Sequence, residues 1–121
     1  MPASVHLDRR GVVFDDTGES LPLYSGAVHY WRLDPALWRS ILTTVRELGF
    51  RCVETYVPWS VHEVAPGEFD FSGHRDVDAF LRLCRELGLY AIVRPGPHIN
   101  AEITYFGYPE RIISNAAMHK N

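Results

Sequence analysis

"VRELGFRCVETYVPW" (residues 45–59) and "CRELGLYAIVRPGPH" (residues 84–98) are two copies of one pattern. Each copy starts in the last turns of an amphipathic helix, passes through a single glycine, continues as an apolar strand and reaches a proline just beyond it. Continuously apolar strands are typical of parallel sheets, because helices cover both faces of such sheets. The repeat therefore predicts parallel strands that are joined by helical crossovers.

The same periodic patterns continue on both sides of the repeat. Asp34-Pro35 predicts a helix start, since aspartate caps a first turn and proline fits the first helical position. Apolar residues at spacings of three and four then run to Gly49, which predicts the end of that helix. The predicted elements are a hairpin or meander at 4–15, strands at 23–30, 51–59 and 89–97, helices at 34–48 and 74–88, and the start of a third helix near 108–117.

Two parallel-sheet architectures fit this order of elements, an open doubly wound sheet and a closed barrel. A nucleotide-binding open sheet uses a glycine-rich loop after a strand, and "RPGP" at 94–97 is too rigid and too poor in backbone N–H groups for that purpose. A closed barrel needs eight strand–helix units and about 250 residues. The predicted fold class is therefore α/β, a partial (β/α)8 TIM barrel of three strands and two helices, preceded by a short N-terminal β-hairpin.

Composition narrows the possible functions. The 121 residues suit one domain, 1–121, and the 46% hydrophobic content is typical of a globular chain. The net charge of −3 without a basic run gives no reason to expect a nucleic-acid partner. We expect no membrane partner, because no apolar stretch approaches the roughly 18 residues of a span.

The first residues lack the apolar segment of a signal peptide, so we expect a cytoplasmic protein. Cys52 and Cys84 lie in apolar patterns and are expected to be buried thiols.

Carboxylates follow the predicted strands at the end where α/β folds collect their chemistry. Glu63 and Glu102 lie beyond the second and third strands, and two carboxylates around an aromatic cleft suit glycoside hydrolysis. For Glu63 we favour a loop anchor that accepts hydrogen bonds from backbone N–H groups. For Glu102 we favour a role that faces the substrate, with a solvated loop carboxylate as the alternative. Glu54 lies inside a strand, where an ion pair is expected.

Aromatic residues and histidines accompany these carboxylates. Trp31 and Trp59 follow strands and are candidates for the wall of a cleft, whereas Trp38 lies on a helix face and is expected in the core. His29 is open to a structural or a pocket-lining role, and His98 is a further candidate for the pocket wall. No convergent set of three or four ligands predicts a metal site, no nucleophile-elbow context surrounds Ser25, and no cofactor is expected.

The stretch from Tyr56 to Gly73, "YVPWSVHEVAPGEFDFSG", is too irregular for one helix or strand. Its richness in aromatic residues predicts an ordered loop that lines a pocket. We expect Tyr56 to point to the mouth of the barrel and Glu63 to hold the loop. We expect Phe69 and Phe71 to pack beneath the loop against the second helix.

Three blocks carry a resemblance to a known family. "SGAVHYWRLDPALWRSIL", "TYVPWSVHEVAPGEFDFSG" and "RPGPHINAEITYFGYPERI" resemble, in order and spacing, the start of the catalytic domain of glycoside hydrolase family thirty-five, the β-galactosidases. The resemblance covers roughly Val5 to Ile113. It implies a (β/α)8 barrel and retaining hydrolysis of terminal β-linked galactose, so that a β-galactoside or a related sugar is the expected partner.

The resemblance also assigns positions to the sugar subsite. The tyrosine of the family's Tyr-Val-Pro-Trp run contacts galactose and corresponds to Tyr56. The family's Cys-Ala-Glu segment lines the sugar subsite and corresponds to Asn100, Ala101 and Glu102. Four departures leave the exact sugar open, namely Val64 for proline, His98 for tyrosine, Asn100 for cysteine and Ile103 for tryptophan.

The catalytic pair of the family has no counterpart in these 121 residues. The resemblance places the acid/base glutamate and the nucleophile after later strands, so both are expected beyond Asn121. We therefore expect an N-terminal portion of a catalytic domain that is inactive alone and that associates with itself through open strand edges. The alternatives are a standalone sugar-binding module and an interaction protein built on part of a barrel.

Overall fold

The structure is a computed structural model that describes residues 4–118. In chain order, its strands are β1 (Val5–Asp8), β2 (Gly11–Phe14), β3 (Ser20–Leu21), β4 (Ser25–Ala27), β5 (Cys52–Val57), β6 (Glu63–Ala65), β7 (Glu68–Phe69) and β8 (Tyr90–Pro95). Its helices are α1 (Pro35–Glu47), α2 (Trp59–His62), α3 (Val77–Glu86) and α4 (Glu110–Met118), with short 3-10 turns at Tyr30–Arg32, Gly73–Arg75 and Thr104–Gly107. The predicted α/β class is confirmed.

The central sheet is parallel and has the order β4-β5-β8. In β5, Cys52 lies opposite Ser25 on one side and opposite Tyr90 on the other. Helix α1 connects β4 to β5 and helix α3 connects β5 to β8. Because all three strands run in one direction, their carboxyl ends lie at the same edge of the sheet, next to the segments at 28–32, 58–63 and 96–102.

The two faces of the sheet differ in what covers them. A Cβ at Gly26 would lie 3.6 Å from Val45 of α1, and Gly26 is paired with Val53 of β5. Val53 therefore lies on the face that carries the helices, and it is fully buried. Side chains alternate along a strand, so Glu54 and Tyr56 lie on different faces from Val53 and share the opposite face with each other.

The two crossover helices begin at aspartate caps. The side chain of Asp34 accepts a hydrogen bond from the N–H of Ala36 at 2.9 Å, as the sequence predicted. The second helix was predicted from residue 74, but α3 starts at Val77 because Asp76 accepts the N–H of Ala79 at 2.9 Å. Each cap satisfies a backbone donor that the first turn of a helix leaves free.

The first parallel strand is shorter than the predicted 23–30. The N–H of Val28 still donates to the carbonyl of Glu54 at 2.9 Å, but the chain then turns, with Arg32 N–H bonded to His29 O at 3.1 Å. The turn places Tyr30 in the core, where its side chain is fully buried. Burial of this large ring therefore outweighs two more residues of strand pairing.

The N-terminal strands form a separate antiparallel sheet of order β1-β2-β3, so the hairpin gains a third, short strand. Gly11 opens β2 with a φ of 106°, and a Cβ there would lie 2.7 Å from the carbonyl oxygen of Leu21. Only glycine fits such a backbone, because a side chain would meet a fixed main-chain oxygen.

An aromatic cluster forms the centre of the core between the sheet and the helices. Phe80 of α3 lies edge-on to Trp38 of α1, with ring centroids 5.5 Å apart, and Tyr30 lies 5.5 Å from Phe80. Trp38 is in the core, as predicted. Cys52 and Cys84 are buried free thiols, which confirms the prediction for them. Burial raises the pKa of Cys84 to about 11, so its thiol stays protonated at neutral pH.

The outer strands β4 and β8 each pair with β5 on one side only. Tyr90 and Val93 of β8 have exposed side chains next to this open edge. No helix in the described part of the chain is long and apolar enough to cross a membrane.

Truncating the buried face of α1 should destabilise the fold. Leu42 is 0% exposed and Leu37, on the same helix, is 51% exposed. We expect Leu42→Ala to lower the free energy of unfolding by about 2–5 kcal/mol through lost burial and a residual cavity. The matched change Leu37→Ala should lower it by about 1 kcal/mol or less. Urea unfolding followed by circular dichroism measures both, and equal losses would contradict the packing described here.

Candidate functional site

Three aromatic rings form a continuous wall at the carboxyl ends of β4 and β5. The ring of His29 stacks on Trp31 with centroids 5.3 Å apart and lies 5.5 Å from the ring of Tyr56. The indole N–H of Trp31 donates to the carbonyl of Tyr56 at 3.1 Å, which fixes the two strands' ends relative to each other. Two of the predicted pocket residues, His29 and Tyr56, are thus neighbours. We call His29, Trp31 and Tyr56 the aromatic wall.

A cation covers one face of Tyr56. The guanidinium of Arg94 lies 4.6 Å from the centre of the Tyr56 ring, and one of its nitrogens is 2.9 Å from a carboxylate oxygen of Glu54. The expected ion pair of Glu54 is therefore confirmed. The hydrogen bond to Glu54, followed by the charge interaction with Tyr56, raises the pKa of Arg94. These contacts fix the orientation of the Tyr56 ring from its side of the sheet.

Arg32 joins the aromatic wall to the segment after β8. Its guanidinium lies 4.4 Å from the centre of the Trp31 ring. It donates hydrogen bonds to the backbone carbonyls of Ala101 and Glu102, the latter at 3.1 Å. The segment that carries Asn100, Ala101 and Glu102 is therefore held beside the wall, although about seventy residues separate it from Arg32 in the chain.

His29 is uncharged in this setting. Burial lowers its pKa, nearby Arg32 lowers it further, and Glu54 opposes them with a smaller effect. Its Nδ1 is buried and has no hydrogen-bond partner among the described residues. A neutral imidazole avoids the desolvation that a charged ring would suffer there, and it stacks on Trp31 without repelling Arg32.

The predicted sugar-contacting residues after β8 differ in exposure. Ala101 is buried, whereas Asn100 and Glu102 are exposed. The φ of Glu102 is 53°, a left-handed value that is unfavourable for a residue with a side chain by about 1–2 kcal/mol. The structure records no hydrogen bond to the Glu102 carboxylate from the residues that it describes. That carboxylate is available to accept hydrogen bonds from a ligand.

A second cluster lies beside the aromatic wall and contains Trp59 and His98. His98 stacks on Phe106 with centroids 4.8 Å apart, and its edge faces Tyr108 at 6.0 Å. Tyr108 in turn lies 6.3 Å from Trp59, whose ring carries the Arg111 guanidinium at 5.8 Å. Both predicted wall residues are therefore in one ring cluster, which connects the segments after β5 and β8.

Glu63 anchors its loop, as the sequence predicted. One carboxylate oxygen accepts the N–H of Gly67 at 3.1 Å and also lies 2.6 Å from Arg111. The other oxygen accepts a second Arg111 bond at 3.2 Å. The Glu63 side chain is 3% exposed and that of Arg111 is 40% exposed. The Arg111 bonds are the main cause, and the Gly67 bond a lesser one, of a lowered pKa for Glu63.

The predicted packing of Phe69 and Phe71 beneath the loop is wrong. Phe69 is 56% exposed and Phe71 is 52% exposed. Of the aromatic side chains from Trp59 to Phe71, His62 is the buried one, and it bonds the Tyr30 hydroxyl at 2.7 Å. The loop supports itself, since β6 and β7 pair with each other as a small hairpin. Phe71 instead stacks on His62 with centroids 4.5 Å apart.

These exposed rings border an apolar cleft of about 290 Å³. Trp59 and Pro97 contribute to its lining, together with Phe69, Phe71 and His62. His62 is not free to bind a metal there, because its Nδ1 donates to the carbonyl of Asp70 at 3.0 Å and its Nε2 accepts from Tyr30. Within residues 4–118, no three His, Cys, Asp or Glu side chains are grouped as a metal site requires.

Comparison with known proteins identifies the family of this chain. The family model described as "Glycosyl hydrolases family 35" matches residues 14–120. The chain belongs to glycosyl hydrolases family 35.

The chain is also similar to several animal proteins. The chain is 44% identical over 92 residues to the β-galactosidase of Felis catus, which covers 76% of this chain and 14% of that protein. It is 37% identical over 112 residues to the β-galactosidase of Bos taurus, covering 93% and 17%. It is 38% identical over 96 residues to β-galactosidase-1-like protein 2 of Homo sapiens, covering 79% and 15%. The chain thus spans about a sixth of the length of these relatives.

The fold of this family 35 chain also resembles part of a solved glycosidase. Its similarity to the exo-β-1,4-mannosidase Op5Man5 from Opitutaceae bacterium strain TAV5 has a TM-score of 0.58 at 20% sequence identity. The match covers 87% of this chain and 20% of the mannosidase chain. At this identity the likeness concerns the fold alone, a mixed α/β arrangement consistent with part of a glycosidase barrel.

The residues that sequence reasoning missed in this family 35 site are its arginines. Arg32, Arg94 and Arg111 each connect two segments that are distant in the chain. A signal for Arg32 and Arg94 was present, since Arg32 lies two residues after one predicted strand and Arg94 lies in the last part of another. No local pattern indicates Arg111, whose partner Glu63 is 48 positions away.

The Glu63–Arg111 pair should make stability depend on pH. The folded-state pKa of Glu63 lies below its ordinary value of 4.5, so its ionised form stabilises the fold above about pH 4.5. This contribution should disappear as the pH falls through the folded-state pKa. We expect Glu63→Gln to lower the melting temperature at pH 7 and to have a much smaller effect at about pH 3.

The control for this experiment is Glu86→Gln. Glu86 pairs with Arg39 at 2.8 Å, but both side chains are about 60% exposed, so little stabilisation is expected at any pH. Melting followed by circular dichroism measures both variants. A Glu63→Gln deficit of the same size at pH 3 and pH 7 would show that shape, not charge, is responsible.

Proposed function

We propose that residues 1–121 are the N-terminal portion of a (β/α)8 barrel in a retaining glycoside hydrolase that acts on terminal β-galactosides. The family membership supports a glycoside hydrolase, and the names of the relatives point to β-galactosides. The observation that carries the proposal is the juxtaposition of the aromatic wall with Glu102 through Arg32. Rings that pack on a sugar face beside a free carboxylate are what recognition of a neutral sugar requires.

Each residue of the proposed subsite has a chemical role. The Glu102 carboxylate accepts hydrogen bonds from sugar hydroxyls, and the Asn100 amide is able to donate and accept. The Tyr56 hydroxyl forms one further hydrogen bond to the sugar. Ala101 contributes its N–H and its methyl group, since its carbonyl already accepts from Arg32. His29, which is neutral, supports the Tyr56 ring without adding charge to the subsite.

Retaining hydrolysis needs two carboxyl groups about 5 Å apart, one as acid/base and one as nucleophile. Glu54 and Glu63 are both held by arginines, and among the described residues Glu102 is the remaining carboxylate beside the aromatic wall. We therefore propose that both catalytic groups come from later barrel strands. The 121-residue chain alone then binds sugar weakly and does not turn it over.

We also propose that the isolated chain associates with itself through β4 and β8. Each of these strands has unpaired backbone groups along one edge, and such edges template pairing with another chain. Sedimentation velocity is expected to show concentration-dependent species larger than a monomer. A single sharp monomer at all concentrations would contradict this proposal.

The isolated chain should not hydrolyse aryl β-galactosides, because one free carboxylate cannot act as acid and nucleophile in the same turnover. The measurement is release of nitrophenol from its β-galactoside by the purified chain. Activity that copurifies with the chain on every column and survives Glu102→Gln would contradict the proposed division of the site.

Activity should appear when this chain is joined to the rest of a family 35 barrel, and there Glu102 becomes testable. We expect Glu102→Gln to lower kcat/KM about 10- to 150-fold, since it removes charge-assisted hydrogen bonds to the sugar. Tyr56→Phe should lower it less, because a neutral hydroxyl contact is weaker. Glu110→Gln, an exposed carboxylate at the start of α4, is the matched control and should change kcat/KM by less than about twofold.

Two outcomes would contradict the subsite. An unchanged kcat/KM for the Glu102→Gln enzyme would show that Glu102 does not contribute to the sugar subsite. An enzyme that hydrolyses another β-glycoside at least as well as the galactoside would retain the barrel but overturn the sugar assignment.

A further inference from the structure

The amino-terminal end of the sheet carries arginines for which the proposed hydrolysis has no use. Arg46 and Arg85 occupy the same position in the two copies of the sequence repeat, and each lies in the last turn of its crossover helix. Together with Arg51, which precedes β5, they line one cavity of about 640 Å³. We call it the arginine cavity. It lies at the opposite end of the strands from the aromatic wall.

The three cations of the arginine cavity lack internal partners. Within residues 4–118, no carboxylate lies within 4.0 Å of Arg46, Arg51 or Arg85. Carboxylates are not scarce, because the chain has a net charge of −3 and the neighbouring Arg39 and Arg82 both form ion pairs. All three arginines are also exposed residues, so an external anion can approach them from solvent.

Helix dipoles account for only part of this arrangement. A cation at a helix C-terminus is favourable, which explains Arg46 and Arg85 individually. Arg51 lies outside the helices, four residues beyond the end of α1, so its place is not set by the last turn of a helix of its own. The Nε of Arg46 does not extend away from the protein but lies 3.6 Å from the point where a side chain at Gly88 would begin. The Arg46 side chain of the first crossover thus lies next to the end of the second.

The rest of the cavity is apolar. Besides the arginines, it is lined by Leu81, Cys84, Gly88, Leu89, Tyr90 and Ala91. Its volume falls in the range of pockets that hold small molecules, roughly 300–1,000 Å³. Guanidinium groups bind phosphate and carboxylate through two parallel hydrogen bonds, and an apolar floor suits an aromatic or aliphatic group attached to that anion.

We propose that the arginine cavity binds a small ligand with one phosphate or carboxylate group joined to an apolar part. The anion lies between the guanidinium groups of Arg46, Arg51 and Arg85. The apolar part packs against Leu81 and Leu89. This inference does not depend on the proposed hydrolysis, because the two sites share no residue.

Titration of the 121-residue chain with three probes tests this inference. Phenyl phosphate and benzoate carry the two possible anions on the same ring, and phenol carries none. We expect at least one of the anionic probes to bind saturably, with chemical-shift changes at residues 46, 51, 85 and 88, and phenol not to saturate. Raising the salt concentration to about 0.5 M should weaken the binding, because screening reduces exposed charge interactions.

Variants localise the binding to the arginine cavity. Arg46→Gln and Arg85→Gln should each weaken it about tenfold or more, and Arg51→Gln is an independent third test. Arg82→Gln is the matched control, because Arg82 lies on α3 but pairs with Asp78 outside the cavity. Circular dichroism verifies that each variant folds.

The result that would overturn the proposal is absence of saturable binding of both anions, or binding that all three cavity variants leave unchanged. Galactose should not compete with either anion. The inference therefore survives a failure of the proposed hydrolysis, and the reverse is also true.

Discussion

The pairing of β5 with a parallel strand on each side is the constraint on which the candidate site depends. All of Cys52–Val57 pairs with β8, and its first three residues, Cys52 to Glu54, also pair with β4. This alignment puts His29, Tyr56 and the segment of Glu102 at one edge, although they are far apart in the chain. A shift of β5 by one residue would turn Glu54 and Tyr56 toward the helices and would bring Val53 to the opposite face of the sheet. The buried, apolar character of Val53 opposes that shift.

Arginines, together with the stacked rings around His98 and Trp59, fix the loops at this edge. Arg32 donates hydrogen bonds to the backbone carbonyls of residues 101 and 102, and Arg111 forms a bidentate ion pair with the Glu63 carboxylate. Charge-assisted bonds of this kind are directional, so they hold a loop by its backbone or by one carboxylate. They leave the other side chains of the loop free, and this is why Glu102 is held in place while its carboxylate remains open to a ligand.

The sequence was informative wherever a pattern is local. The helix cap at Asp34, the core position of Trp38 and the buried thiols of Cys52 and Cys84 all follow from residues within one or two turns of each other. The parallel order of the sheet followed from the repeat, since a helix between two apolar strands leaves few topologies. Strand ends were less predictable. Burial of Tyr30 ends β4 early, and this depends on Phe80, fifty residues later in the chain.

The wrong and the missing predictions for the candidate site have a common cause. Phe69 and Phe71 were expected to be buried because they are large and apolar, yet a self-supporting hairpin holds them at the surface of a cleft. The contacts made by Arg32 and Arg111 were missed because tertiary structure, not sequence spacing, creates them.

The two ends of the sheet differ in whether their arginines have partners. At the carboxyl end, Arg32, Arg94 and Arg111 all have partners within the chain, so recognition there falls to rings and to the Glu102 acceptor, a combination that suits a neutral polyhydroxy ligand. At the amino end, Arg46, Arg51 and Arg85 have no such partner in the described chain, and the same residue type there favours an anion.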